Sequence, residues 1–119
     1  MNKYLTKIIF QIISGDGNHT AQFEEQLRFV FAENYARAIE KSRSIGFSEE
    51  ESFYNNSNEL VQWKFIDTTE ICQLTKLSDG TELYSRIIEY EDGDIYNAII
   101  RKKASALLKE NAEPVLHIL

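Results

Sequence analysis

The segment "SGDGNHT", residues 14–20, gathers two glycines, an aspartate, an asparagine and a histidine within seven positions. Such residues can cradle a phosphate, hold a metal or simply reverse the chain. A dinucleotide loop fails on context, because Thr20 stands where the third glycine belongs and a strand-like alternation follows instead of a helix. A P-loop needs Gly-Lys-Ser/Thr, which the chain lacks. A calcium loop starting at Asp16 gains Asn18 and Thr20, then meets Ala21 in place of glycine and Leu27 in place of the bidentate glutamate. Zinc would require Asp16 and His19 to recruit Cys72 or His117 from distant segments that carry no paired-ligand spacing. The expectation is therefore a turn, with no metal and no cofactor. His19 has no place in that turn chemistry and is kept as a ligand-binding candidate.

Two further groups bear on chemistry. In "LYSRIIE", Tyr84 and Arg86 share a face if the segment is extended, and a phenol beside a guanidinium can bind an anion or carboxylate. Pairing of Arg86 with one of the chain's many glutamates is the plainer alternative. Cys72 with His19 or His117 would make a nucleophile and base, but cysteines in strands mostly act as small buried hydrophobes. No catalytic residue is identified.

Composition bounds the rest. A chain of 119 residues suits a single domain, 1–119, and 43% hydrophobic with 27% charged residues is an ordinary globular balance. Cys72 has no partner for an internal disulfide, which suits a reducing cytoplasm. The apolar run Ile8 to Ile13 contains Gln11 and is too short for a signal sequence or a membrane span. A net charge of -6 disfavours nucleic acid, and the three basic residues from Arg101 to Lys103 point to different sides of a helix. Neither a nucleic-acid partner nor a membrane is expected.

The elements that must position these groups follow from periodicity. Residues 4–13 and 20–32 alternate as two strands of a hairpin. A two-residue turn at Asp16 and Gly17 would set paired residue numbers to sum to 33, placing Phe10 opposite Phe23, Thr6 opposite Leu27 and Tyr4 opposite Phe29. An odd-length loop would set Phe10 and Tyr4 beside Gln22, Glu24 and Arg28, so burial favours the even one. On this register the second face carries Leu5, Ile9, Ile13 and Val30, apolar enough to need a cover.

"AENYARAIEKSRSIGF" predicts a helix over 34–45, with Asn34 as N-cap, a stripe of Tyr35, Ala38, Ile39, Ser42 and Ile45, and Gly46 as left-handed C-cap. After the acidic "SEEES", residues 53–66 form a hairpin turning at Asn55 to Asn58, with Val61, Trp63 and Phe65 on one face. Phe53 and Tyr54 are adjacent, so either could point inward. "DTTEICQL" fits a capping box or a strand, and a strand bent near Thr68 is preferred. Residues 81–91 alternate as another strand. "EDGDIYNAIIRKKASALLKEN" is a second helix capped by Asp92 or Asp94, and Pro114 precedes an apolar "VLHIL" tail that needs a docking place.

In "YLTKIIFQIISGDG", "LRFVFAENYARAIEKSRSIG", "VQWKFID" and "ELYSRIIE", the chain resembles a small bacterial family catalogued as domain of unknown function 4288, over about residues 4–90. The resemblance implies a compact cytoplasmic domain and supplies no catalytic residue.

The expected architecture is α+β, a mainly antiparallel five- or six-stranded sheet with two helices in the order ββαββββα. The expected function is a non-catalytic binding or protein-interaction domain. Homodimerisation would use Leu5, Ile9, Ile13, Val30, Leu116 and Ile118, and the acidic surface would suit a basic protein partner, as in an immunity protein. The competing expectation is a small enzyme or anionic-ligand-binding protein with a pocket near Tyr84 and Arg86, with His19 as a further ligand-binding candidate.

Overall fold

The computed structural model describes residues 1–109. The chain divides into two compact units, the first Met1–Ser85 and the second beginning at Arg86. The first unit is an antiparallel sheet of β1 (Asn2–Ser14), β2 (Gln22–Ala32), β3 (Glu51–Tyr54) and β4 (Leu60–Leu74), with α1 (Tyr35–Ser48) between β2 and β3. The strand order is β2-β1-β4-β3. With α2 (Gly93–Lys109) in the second unit the sequence of elements is ββαββα. The architecture is α+β, but the sheet has four strands where five or six were expected.

Two strands are lost for different reasons. "DTTEICQL" continues β4 instead of starting a new strand, because β4 absorbs its bend in two bulges against β1. Lys7 pairs with Glu70 and Ile8 with Thr68, then Ile9 pairs with Asp67 and Phe10 with Phe65, so Thr69 and Ile66 are the extra residues. The irregularity expected near Thr68 therefore lies within one strand. Residues 81–91 enter no ladder, and residues 81–85 are tied down by side-chain contacts instead.

The first hairpin adopts the other register. Partners sum to 34, with Tyr4 opposite Val30, Thr6 opposite Arg28 and Phe10 opposite Glu24. The tight turn at Asp16 and Gly17 gives way to a longer loop in which Gly15 and Gly17 both take positive φ, and the Gly15 amide bonds to Leu60 on β4. A one-residue slip exchanges the two faces of β2. Phe23, Phe29 and Phe31 thus lie on the face away from the helix, at 55%, 43% and 47% exposure, while Val30 is buried. The burial expected for Phe10 against Phe23 is supplied by Phe65 of β4, whose ring centroid is 5.7 Å away.

Helix closeness explains the choice. Tyr4, Val30, Ala32 and Ala38 form one buried cluster beneath α1. The slipped register would push Phe29 and Phe31 into positions that now hold small residues and would prop the helix off the sheet. Asn34 caps α1 as expected, its Oδ1 accepting the Arg37 amide at 2.9 Å. The expected C-cap is displaced: Gly46 lies within the helix, which runs on to Ser48. A Cβ at Gly46 would sit 2.3 Å from the Phe65 ring, so this glycine serves close packing and not a left-handed turn. Between Ala38 and Gly46, Ser42 Oγ donates to Thr6 Oγ1 at 2.8 Å and lies 2.9 Å from Thr68 Oγ1, so the buried hydroxyls of the interface are satisfied. A second cluster of Ile8, Phe10 and Phe65 continues the core toward Trp63.

The β3–β4 turn lies at Asn55 to Asn58 as expected, with Asn55 Oδ1 accepting the amides of Ser57 and Glu59. Phe53 and Tyr54 are both exposed, and neither enters the core; Phe53, the less exposed of the two, stacks on Trp63 at 6.0 Å. In the second unit, Asp92 Oδ1 accepts the Ile95 amide at the start of α2, and Tyr90 stacks on Tyr96. Leu116 and Ile118 lie outside the described residues.

Alanine normally favours a helix over glycine by about 1 kcal/mol. At position 46 the sign is expected to invert: Gly46→Ala should destabilise by about 1–3 kcal/mol, because the methyl group must displace Phe65. Urea unfolding of the variant checks this, and an unchanged or raised midpoint would refute the close-packing role.

Candidate functional site

His19 is a brace of its own loop. Its Nε2 accepts the Ser14 amide at 3.0 Å and its Nδ1 lies 2.8 Å from the Thr20 carbonyl, contacts that suit the tautomer carrying its hydrogen on Nδ1. Both ring nitrogens are therefore engaged. Asp16 Oδ1 accepts the Asn18 amide, completing the turn.

Tyr84 lies against the middle of β1, at Lys7. Its hydroxyl donates to the Glu70 carboxylate, 3.0 Å from each oxygen, and its ring lies under the Lys7 ammonium, 5.1 Å from the centroid. Lys7, 4% exposed, closes the group through a 2.7 Å ion pair with Glu70. The pair arises because Lys7 and Glu70 are direct partners across β1 and β4 on the face away from α1. The Glu70 hydrogen bond holds the Lys7 ammonium above its ordinary pKa, outweighing the opposite push of burial. Beside it, Cys72 Sγ lies 3.2 Å from the Leu83 carbonyl, and burial raises the thiol's pKa, which lowers its reactivity. An open hollow of about 420 Å³ runs between residues 70–74 and 82–85.

The structure thus joins Tyr84 to Lys7 and Glu70 and leaves His19 at the far end of the sheet. Arg86 is exposed and opens the second unit. Of the residues expected on the second face, Leu5, Ile9 and Ile13 are there, half-buried. Val30 is the exception: it is 2% exposed beneath α1, as the register requires.

A second concavity went unnoticed in the sequence. Phe10, Glu24, Gln26, Ser48, Glu49 and Glu50, with Glu51, Phe53 and Trp63, line an open cleft of about 620 Å³ at the C-terminal end of α1. Its polar walls come mainly from β2, the α1–β3 junction and β4. β2 turns Glu24, Gln26 and Arg28 toward the helix side, where Arg28 bonds to Gln26 and ion-pairs with Glu49. The α1–β3 junction supplies Glu49 to Glu51, with Glu50 Oε2 accepting the Phe65 amide at 2.9 Å. β4 supplies Trp63, whose Nε1 donates to Glu24 at 3.3 Å. Four carboxylates thus meet the Phe53–Trp63 stack, with Arg28 offsetting one charge. Among the described residues no group of three or more His, Cys, Asp or Glu is placed to hold a metal ion, so these carboxylates line a surface and do not converge on a point. The available signals were acidic "SEEES" and the sole tryptophan, but the Glu24 contribution depends on the register.

The model of a family described as domain of unknown function (DUF4288) matches residues 3–85, nearly coextensive with the first compact unit. The chain belongs to that family. No curated protein and no solved structure matches it. Among the described residues no helix is long and apolar enough to cross a membrane.

The Lys7 ion pair gives two expected outcomes. Glu70→Gln leaves a buried ammonium without its counter-charge and should cost about 1.5–3 kcal/mol in chemical unfolding. Because the folded state raises the lysine pKa, the pair's contribution is complete below the unfolded value and fades as pH rises through the folded one. The stability gap between wild type and Lys7→Met should accordingly be constant from pH 7 to 9 and shrink above about 10.5. A gap that shrinks already between pH 7 and 9 would contradict this assignment.

Proposed function

We propose that this family member is a non-catalytic protein-interaction domain whose acidic, aromatic-walled cleft receives cationic side chains of a basic partner. The observation that carries the reading is the meeting of Glu24, Glu49, Glu50 and Glu51 with the Phe53–Trp63 stack. Carboxylates attract an ammonium or guanidinium, and an indole face adds cation–π attraction. The net charge of -6 favours encounter with a basic protein and disfavours nucleic acid. An immunity protein covering a basic toxin uses the same complementarity. A cytoplasmic setting suits the lone Cys72.

A pocket for an anionic ligand near Tyr84 and Arg86 has less support. Tyr84 already donates to Glu70, whose carboxylate would repel an anion at that spot.

Trp63 is the only tryptophan, so its fluorescence reports on the cleft alone. Titration with an octa-arginine peptide should give a saturable change that weakens steeply with added salt, and Glu51→Gln should loosen it about two- to fivefold. An octa-glutamate peptide should do nothing. No response to the arginine peptide, or equal responses to both, would rule out the cleft as the binding site.

A further inference from the structure

The two edges of the sheet differ. β3 is a four-residue edge, whereas β2 offers eleven residues, Gln22–Ala32, with no strand on its outer side among the described residues. An edge that long exposes a row of backbone donors and acceptors, and β2 contains none of the lysine, proline or glycine residues that usually blunt one. Its charges are arranged differently. Read outward from Gln26, the strand carries Glu24 and Arg28 two residues to either side and Phe23 and Phe29 three residues to either side.

The geometry points to homodimerisation through antiparallel pairing of β2 with β2 of a second copy, about a two-fold axis at Gln26. Paired residue numbers then sum to 52. Glu24 of each copy meets Arg28 of the other on the helix side, and Phe23 meets Phe29 on the open side. The sum is even, so outward amides face outward carbonyls and every side chain meets one on its own face of the sheet. Neighbouring even registers lack this match. A sum of 50 sets Glu25 against Glu25, a sum of 56 sets Arg28 against Arg28, and a sum of 54 sets Glu25 against Phe29. Charge complementarity thus selects one occupant and one register, and joins two four-stranded sheets into a continuous one. The exposed phenylalanines gain a reason as well, since Phe23 and Phe29 form two aromatic cross-strand pairs in the dimer. The association shares Glu24 with the cleft and draws on Arg28, which ion-pairs with Glu49 within one chain, but it is read from oligomeric state, whereas the cleft reading is tested by peptide binding at Trp63, so either can fail alone.

Sedimentation velocity on the full chain tests it. Wild type should dimerise, and Glu24→Arg and Arg28→Glu should each weaken the dimer at least about tenfold, since each replaces two attractive pairs by two repulsive ones. An equimolar mixture of the two variants should regain the dimer, because both ion pairs re-form between unlike chains. Circular dichroism confirms that each variant is folded. As a check independent of charge, Gln26→Cys should cross-link to a covalent dimer under mild oxidation, since directly opposed Cα atoms lie about 4.5–5.5 Å apart, within disulfide range, whereas Gln22→Cys should not. A monomeric wild type, a dimer indifferent to both charge reversals, a mixture that stays monomeric, or a failure of the Gln26→Cys cross-link would overturn the proposal.

Discussion

The pairing register of β1 with β2 is the constraint on which the molecule's two surfaces depend. With partners summing to 34, β2 gives the helix side Glu24, Gln26, Arg28, Val30 and Ala32 and gives the open side Phe23, Leu27, Phe29 and Phe31. A slip by one residue would exchange the sets completely. The acidic cleft would lose Glu24, and α1 would have to rest on phenylalanines.

What holds this register is the approach of α1 to the sheet. The helix presents Ala38, Ser42 and Gly46 inward, a ridge of small residues that lets it lie close over β1 and β4. Close approach demands small partners at the near end, Val30 and Ala32, and a large flat one at the far end, where Phe65 fills the space left by Gly46. Phe10 and Phe47 converge edge-on at Phe65, and Ile45, which packs against both helix-facing clusters, couples them. Because β2 outreaches the helix, its far half on that side is polar and joins the cleft, with Arg28 tying it to Glu49 just past the helix end.

Sequence reasoning recovers what depends on local pattern. The Asn34 cap, the Asn55–Asn58 turn, the inward row of β1 and the shared face of Val61, Trp63 and Phe65 all follow from spacing and turn chemistry. It fails where a distant partner decides. Facing Phe10 with Phe23 maximises burial within the hairpin alone, but β1 is a central strand and finds Phe65 on its other side. Gly46 had the position of a C-cap, and only the Phe65 ring explains why it lies inside the helix. The burial of Lys7 depends on Glu70 and Tyr84, which come from later segments and leave no local signal at residue 7. The bulges at Ile66 and Thr69 merge two anticipated strands, and no local signal distinguishes a bulge from a turn there. His19 had looked functional because turn chemistry alone left it unexplained, and its two hydrogen bonds supply the missing structural role.

The register is directly measurable. In directly opposed antiparallel residues whose amides do not bond each other, the α-protons lie close enough for strong cross-strand nuclear Overhauser effects. On uniformly labelled protein, every such contact between residues 2–12 and 22–32 should join residue numbers that sum to 34, in keeping with Tyr4 opposite Val30 and Phe10 opposite Glu24. Contacts summing to 33, which would set Phe10 against Phe23, would contradict the account at its root.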